Sequence, residues 1–413
     1  MYAYTNQSQL AVFRTNLDST NGFRDRFELH NQDYYSNLTW TDRLNDKWRI
    51  FTGGSFSTDQ NKIKLNSDTI GTQDQFAQGK IVLTRYVGTL STIRFGGEFI
   101  SSTGEKSFNQ FKQNLDDNFS AGFVETDIYF TTKLVARLGT RVESSQLLGN
   151  TNIAPRVSIA YKLAEYTTAS LAYGDFYQKP QEDFLYGYST HPGFEKATHY
   201  IVNLQRVTPV STFRAEAYEK TYDDLLKFHD DGTQTDTFND GYGFARGVDI
   251  FWRNKSFKTI DYWISYSWLK TERNYLNYPK SATPPFAASN TVSFVYKQFI
   301  PKIMTSFGIT YTFATGRTYF DPSDLLENFL SHKTDNYNLF GANASYLTKI
   351  GGAFTVIVFG VNNVFATKNI FSYRFSTDGT RSEPVVASSD RSFFIGVFMS
   401  FGVDRRKEVV DNQ

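Results

Sequence analysis

The 413-residue sequence contains no cysteine, so the chain can form neither a disulfide nor a thiolate metal site. It contains five histidines: His30, His191, His199, His229 and His332. None of them belongs to a His-x-x-x-His or Glu-x-x-His pair, which are the spacings that bring metal ligands together. We therefore expect no metal site and no cofactor.

The signals of three other protein classes are also missing. The formal net charge is +1, which argues against the large basic surface of a nucleic-acid-binding protein. There is no Gly-x-Ser-x-Gly elbow and no distinct carboxylate pair, so we expect no enzyme and no catalytic residues. No apolar run approaches the roughly 20 residues of a transmembrane helix. The first residues, Met1 to Thr5, lack the basic start and apolar core of a signal peptide.

Two short motifs are too incomplete to indicate a ligand. Gly241-Tyr242-Gly243, with Gly247, has the wrong spacing for a nucleotide fingerprint and no helix follows it. We expect these glycines to allow close backbone approach within a strand. The run Asp230-Asp231-Gly232, with Asp236, lacks the spacing and closing glutamate of a calcium-binding EF-hand, so a solvated turn is favoured.

Aromatic residues are abundant, at 17% of the chain with 26 tyrosines and 39 phenylalanines. Transmembrane β-barrels concentrate aromatic residues in belts at both membrane interfaces. The mean hydropathy of −0.42 is typical of a soluble protein. A barrel with a watery lumen gives a similar value, because about half of each strand is polar.

The clearest pattern is the alternation of apolar and polar residues between Phe123 and Gln178. One predicted strand sets Leu134, Leu138 and Val142 against Arg137, Arg141 and Glu143. A period of two marks a strand with one dry face and one wet face. The dry face meets either a second sheet or a lipid bilayer. In the bilayer interpretation the arginines face a lumen, and this strand lies beside the strand Val157–Leu163.

The same pattern predicts about 18 strands along the chain, joined alternately by short turns and long loops. The predicted long loops include 58–72, 102–118, 179–192, 227–240, 272–284, 315–333 and 366–389, with a helical turn within 322–330. Outer-membrane barrels place short turns on one side and long loops on the other. We therefore predict an all-β fold, a transmembrane antiparallel up-and-down β-barrel.

Four segments resemble the barrel of TonB-dependent outer-membrane receptors. They are Ala154–Tyr161 with Ala169–Gly174, then Gly243–Asp249, Gly360–Phe365 and the aromatic closing strand Ser392–Phe401. The resemblance implies a barrel of about 22 strands. It therefore implies that residues 1–413 are a single barrel domain lacking the signal peptide, the plug domain and the first few strands. The first and last strands should then be unpaired edges or close a narrower barrel.

The resemblance implies an active-transport receptor of the bacterial outer membrane. It would bind a siderophore, a sugar or a similar small-molecule or oligosaccharide ligand and import it with TonB energy. Its implied partners are membrane lipids, the TonB complex acting through the plug, and the barrel-assembly machinery. Two alternatives stay open: a passive porin of about 18 strands, and a soluble glycan-binding β protein. A plug-like segment encoded upstream of Met1 would favour the importer, and a signal peptide joined directly to Tyr2 would favour the porin.

The long loops carry the candidate ligand-binding residues. These are Phe184, Tyr186, Tyr188, Tyr275, Tyr278, Tyr319 and Phe320. In the functional interpretation they stack on a ligand. In the alternative they belong to the outer aromatic belt or pack the loops together, since such belts are general in these barrels.

Overall fold

The computed structural model describes residues 1–19, 23–186, 192–230 and 235–402, and the fold of this part is all-β. The strands are β1 (Tyr2–Thr15), β2 (Arg24–Asn45), β3 (Trp48–Leu65), β4 (Asp68–Val87), β5 (Ser91–Phe108), β6 (Phe111–Tyr129), β7 (Leu134–Ser145), β8 (Asn150–Ala164), β9 (Thr167–Gln178), β10 (Glu195–Val207), β11 (Ser211–Asp230), β12 (Thr235–Phe257), β13 (Ile260–Asn274), β14 (Asn290–Ile300), β15 (Thr305–Ala314), β16 (Thr318–Tyr319), β17 (His332–Lys333), β18 (Tyr337–Ile350), β19 (Ala353–Asn362), β20 (Ile370–Phe375), β21 (Ser382–Val386) and β22 (Ser392–Ser400).

Eighteen of these strands form one antiparallel sheet in which each strand pairs with the next along the chain. After β15 the sheet continues through β18, β19 and β22, while β16–β17 and β20–β21 form two small separate hairpins. The predicted strand number and meander are therefore confirmed. Within the described residues no pairing joins β1 to β22, so both are edge strands, as expected.

Helical structure is limited, in the described residues, to three 3-10 turns: Glu182–Phe184, Pro301–Ile303 and Leu326–Asn328. The last of these lies within 322–330, where a helical turn was predicted. The part of the chain that the structure describes contains no helix long and apolar enough to cross a membrane.

The predicted positions of several long loops were wrong. Apart from two-residue turns at 66–67 and 109–110, residues 58–72 and 102–118 are strand and belong to the hairpins β3–β4 and β5–β6. Most of 227–240 also belongs to β11 and β12, and 366–389 contains the hairpin β20–β21. These stretches are polar on both faces, so they carry no alternating apolar signal that would identify a strand.

The two faces of the sheet differ in chemistry, as predicted from the alternation. On one face Arg137 Nε donates to Asp127 Oδ1 at 2.7 Å, and Arg94 Nη2 donates to Asp127 Oδ2 at 2.5 Å. Leu138 and Val142 lie on the other face and are 44% and 41% exposed. Strand β7 pairs with β8 over its whole length, which confirms the predicted neighbours.

The charged face is the inner face of the curved sheet. Residues 179–186, which follow β9, contact side chains of this face on β5 and β6, three and four strands away. A short segment can reach that far only across the concave side. The apolar face is therefore the outer face, as a lipid-facing surface requires.

Strands β2 to β6, which we call the tall wall, are 18 to 22 residues long. Roughly 9–11 residues suffice for a tilted strand to cross a bilayer. On the outer face of β5 the residues change from Phe95 and Phe99 to Ser101, Thr103 and Glu105. The upper part of the tall wall thus extends beyond the apolar belt.

Asparagines at the hairpin tips tie the tall wall together. Asn66 and Asn109 adopt positive φ angles of 55° and 52°, as two-residue hairpin turns require. Asn109 Oδ1 accepts from the Thr69 amide at 2.9 Å, and the Asn109 amide donates to the Thr69 carbonyl at 2.8 Å. Asn66 makes the same pair of bonds to Arg26. Each tip therefore binds the backbone of the strand before it.

Candidate functional site

Residues 179–186, which we call the inner strap, lie against the inner face of the tall wall. Lys179 Nζ bonds Asp117 Oδ2 at 2.7 Å, and this carboxylate is only 4% exposed. Lys106 forms an ion pair with Asp183. The hydrogen bonds and ion pairs hold the strap across β5 and β6, where it narrows the lumen.

The strap carries two of the predicted ligand residues. Phe184 stacks on Phe228 of β11, with ring centroids 5.0 Å apart. Tyr186 is 5% exposed and its ring lies 4.5 Å from Lys106 Nζ. Burial, followed by the nearby Asp74 carboxylate, raises the pKa of Tyr186 to about 12. Tyr188, also predicted, lies outside the described residues.

Tyr275, Tyr278 and Phe320 come together in one cluster above β13. Tyr278 is 8% exposed and packs against Leu330 and Phe329, with the Tyr278 and Phe329 rings 4.9 Å apart. Burial raises the pKa of Tyr278. Tyr278 therefore joins the loops 275–289 and 315–336, and a ligand role for this cluster stays a prediction.

Tyr319 lies in a different group, where two small hairpins meet. Its ring is stacked on the His332 ring, with centroids 5.4 Å apart, and its centroid lies 4.7 Å from that of the Tyr373 ring of β20. His332 Nε2 contacts Asp324 Oδ2 at 2.5 Å. The sequence pattern did not single out Tyr373, because its hairpin lay inside a predicted loop.

Sequence reasoning also missed a polar row on the inner face of the tall wall. Asn6, Asp33, Asp59 and Asp74 face one another directly on β1, β2, β3 and β4. These residues are 15 to 27 positions apart, so only the strand register brings them together. Had the register been known, the signal would have been an aspartate at the same level on three neighbouring strands.

The loop after β1 meets the hairpin β20–β21, which precedes β22 in the chain, although β1 and β22 are at opposite edges of the sheet. Asp18 accepts hydrogen bonds from the Thr377 amide at 2.6 Å and from Thr377 Oγ1 at 3.0 Å. Arg381 Nη1 donates to the Ser19 carbonyl at 2.8 Å. Hydrogen bonds between these two loop segments therefore connect the two edges of the sheet, although β1 and β22 do not pair as strands.

The weaker sequence motifs resolve as follows. A side chain at Gly241 would meet the Leu225 carbonyl at 2.6 Å, and one at Gly247 would meet the Tyr218 ring at 2.4 Å, which confirms close packing in the strand. Asp231, Gly232 and His191 lie outside the described residues. Within the described ranges, no group of three or more His, Asp or Glu residues is arranged to hold a metal ion.

Residues 2–364 match the family described as "TonB dependent receptor-like, beta-barrel". The chain belongs to the TonB-dependent receptor family. The match covers most of the 18-stranded sheet, and the polar inner face, apolar outer face and one-sided long connections agree with it. The protein is therefore an outer-membrane β-barrel protein of bacteria.

Solved structures show the same fold at low sequence identity. The ferric-catecholate import receptor Fiu from E. coli K12 aligns with a TM-score of 0.70 and 12% identity, over 92% of this chain and 65% of Fiu. The ferric yersiniabactin uptake receptor FyuA from Yersinia pestis aligns with a TM-score of 0.73 and 11% identity, over 96% of this chain and 66% of FyuA. The FrpB iron transporter from Neisseria meningitidis aligns with a TM-score of 0.74 and 12% identity, over 96% of this chain and 68% of FrpB.

The chain thus spans about two thirds of the length of these structures, and less than two thirds of Fiu. No curated protein sequence matches it. Of the segments that resembled the family, Gly243–Asp249 is in β12 and Ser392–Ser400 is β22, whereas Gly360–Phe365 begins in β19 and runs past its end at Asn362. The segment Ala154–Tyr161 lies inside β8, which begins at Asn150.

Proposed function

We propose that this TonB-dependent receptor barrel is part of an outer-membrane active-transport receptor. In this proposal it binds an extracellular ligand, such as a siderophore or a sugar, and passes it inward with energy supplied through TonB. The family match over residues 2–364 carries the proposal. The names of Fiu and FyuA, which are import receptors for iron chelates, make ferric chelates the first ligands to test.

The geometry supports a binding role for the long-loop edge. The upper part of the tall wall, the inner strap and the Tyr278 and Tyr319 groups all lie on that edge, above the apolar belt. The predicted stacking residues Phe184, Tyr186, Tyr275, Tyr278, Tyr319 and Phe320 lie in or beside them. We propose that the partly exposed rings Tyr319 and Phe184 meet ligand, whereas the buried Tyr278 holds the loops.

We propose further that the barrel itself carries out no catalysis. It supplies a wall and a lumen, and contact with TonB is made by a plug domain. Lipids contact the outer face, the barrel-assembly machinery inserts the protein, and nucleic acid is not a partner. Residues 1–413 act as one barrel domain, since β22, which lies beyond the family match, is paired with β19 in the same sheet.

The test compares uptake with and without TonB in cells that depend on this receptor. Deleting the receptor gene should abolish growth on one limiting ligand from a panel of ferric chelates and oligosaccharides. Deleting TonB should have the same effect on that ligand. Growth that requires the receptor but not TonB would contradict the proposal and favour the porin, because passive channels need no energy.

A further inference from the structure

A row of carboxylates crosses the inner face of the tall wall. Asp33 of β2 pairs with Asp59 of β3, and Asp59 pairs with Asp74 of β4. Neighbouring strands lie about 4.8 Å apart, so three carboxyl groups stand at close and regular spacing. Like charges directly opposite each other destabilise a sheet. Such a row needs a compensating partner.

The protein compensates the row only partly. Asn6 Nδ2 donates to Asp33 at 3.1 Å, and Asn31 Nδ2 donates to both Asp33 and Asp59 at 3.1 Å. These amides carry no charge. Within the described residues none of the three aspartates forms an ion pair, and Asp74 accepts no hydrogen bond. Lys106, whose charge acts on Asp74, is itself ion-paired with Asp183 of the inner strap.

A residue of the inner strap, at the Asp74 end of the row, also has a polar group without a hydrogen-bond partner. Tyr186 is 95% buried, yet its hydroxyl has no hydrogen-bond partner among the described residues. Gly104 has no side chain, and the position that a Cβ atom would take there is 2.2 Å from the Tyr186 hydroxyl and 3.0 Å from Asp74 Oδ1. The hydroxyl and the carboxylate therefore both point to the space beside Gly104. A cavity of about 30 Å³ lies beside them. An unpaired buried hydroxyl is costly, and a bound hydrogen-bonding group removes that cost.

Aromatic rings flank the row on the other side. The rings of Tyr2, Tyr4 and Tyr35 lie within 5.8 to 6.4 Å of one another on the same inner face, next to Asn6 and Asp33. The π faces of tyrosine attract cations. Aromatic rings and unpaired carboxylates together form a surface for an organic cation.

We propose that this row, from Tyr35 through Asp33, Asp59 and Asp74 to the Tyr186 hydroxyl, binds a ligand that carries ammonium groups. Each ammonium offers three N–H donors to the carboxylates. Several such groups on a flexible chain, as in a linear polyamine, match the regular spacing of the row. The inference rests on the proposed function, because it names the chemical class of ligand that the receptor takes.

The test measures binding of spermidine to the purified protein in detergent by isothermal titration calorimetry at low salt. Asp59→Asn and Asp74→Asn keep the shape of the side chains and remove one charge each. Each should weaken binding about tenfold, since a hydrogen bond to a charged group is worth roughly a factor of ten or more. Asp116→Asn is the matched control, because Asp116 lies on the outer face of neighbouring β6. Binding should also weaken as salt rises.

Tyr186→Phe separates a ligand contact from a packing role. It removes only the unpartnered hydroxyl, so a purely structural residue would leave binding unchanged, whereas the proposal requires weaker spermidine binding. The inference is overturned if spermidine does not bind, if calcium or a neutral oligosaccharide binds the row in its place, or if Asp116→Asn weakens binding equally. Those results would leave TonB-dependent uptake of another ligand, and thus the proposed function, untouched.

Discussion

The long-loop edge of this receptor is built in two different ways on its two sides. On the tall wall the strands themselves continue past the apolar belt, and β2 to β6 have 18 to 22 residues. On the opposite side β14, β15, β19 and β22 have 9 to 11 residues, and loops with two small hairpins stand above them. We call this second region the low side.

The difference shows that hydrogen-bonded strands and packed aromatic rings can each support an extracellular surface. The tall wall is held by continuous ladders and by the tip asparagines, so its side chains sit at fixed register positions. The low side has few ladder bonds above the belt and depends on clusters such as Tyr278 with Phe329 and Leu330. Substitutions should therefore affect the two regions through different interactions.

The largest expected effect is on the low side. Tyr278→Ala removes the buried centre of its cluster and should destabilise the loops 275–289 and 315–336 by about 3–5 kcal/mol, the range for losing a buried aromatic side chain. The control is Leu326→Ala in the same region, because Leu326 is 64% exposed. Limited proteolysis should cut the Tyr278 variant faster in these loops while the sheet stays intact. Equal cleavage of both variants would mean that the cluster does not hold the loops.

The next effect locates the end of the apolar belt on the tall wall. Phe95 and Thr103 lie on the outer face of the same strand, β5. Phe95→Arg should cost about 2–4 kcal/mol, since arginine on the lipid face near mid-depth is destabilising, and Thr103→Arg should cost almost nothing. Unfolding titrations in lipid vesicles give both values. Similar costs at the two positions would contradict the extension of β5 beyond the membrane.

Much of the sheet was predictable, because a strand with one lipid face and one wet face leaves an alternating pattern. The alternation of Leu138 and Val142 with Arg137 and Arg141 correctly predicted strand β7, and its pairing with β8 was also predicted correctly. Residues 58–72 were misassigned since Gln60, Asn61 and Lys62 are polar on both faces and leave no such pattern. The strand number was still right, because each missed stretch extended a strand that had already been recognised.

The candidate site was less predictable, because its parts meet only through register and loop folding. Tyr275 and Tyr278 are close in sequence and were predicted together as candidates, and the fold packs Phe320 into the same cluster. Asp33, Asp59 and Asp74 belong to three different strands and are 15 to 26 positions apart, so no local motif marks them. A register read from the tip at Asn66 would have aligned Asp59 with Asp74, since a two-residue turn fixes every pair in its hairpin.

A smaller effect tests the tips of the tall wall. Asn109→Ala loses the bonds to the Thr69 backbone and places alanine at positive φ, so opening of the β5–β6 tip should become easier by about 1–2 kcal/mol. Asn109→Gly should recover part of this, because glycine tolerates the φ angle. Hydrogen exchange of the peptide around 105–113 measures the opening, with Gln110→Ala as control. If Asn109→Gly were as damaging as Asn109→Ala, backbone strain would not contribute.

The smallest effect concerns the place where the low side touches the first strands. Asp378, in the turn of hairpin β20–β21, accepts hydrogen bonds from Ser376 Oγ at 2.5 Å, from the Thr380 amide at 3.1 Å and from Thr380 Oγ1 at 2.8 Å. The bond from Ser376, followed by those from Thr380, lowers the pKa of Asp378 to about 2. The neighbouring Thr377 binds Asp18. The charge state of Asp378 therefore bears on the contact that bridges the two edges of the sheet.

Because the pKa of Asp378 is lower in the folded state than the usual value of about 3.9, its carboxylate stabilises the turn fully above that value. The stabilisation is lost as the pH falls from about 4 through about 2. Hydrogen exchange of residues 376–382, corrected for the intrinsic effect of pH, should accelerate over this interval. Asp378→Asn should exchange faster at neutral pH and show no change between pH 4 and pH 2. Protection that persists in the unsubstituted protein below pH 2 would mean that the Asp378 carboxylate does not hold this turn against the loop at Asp18.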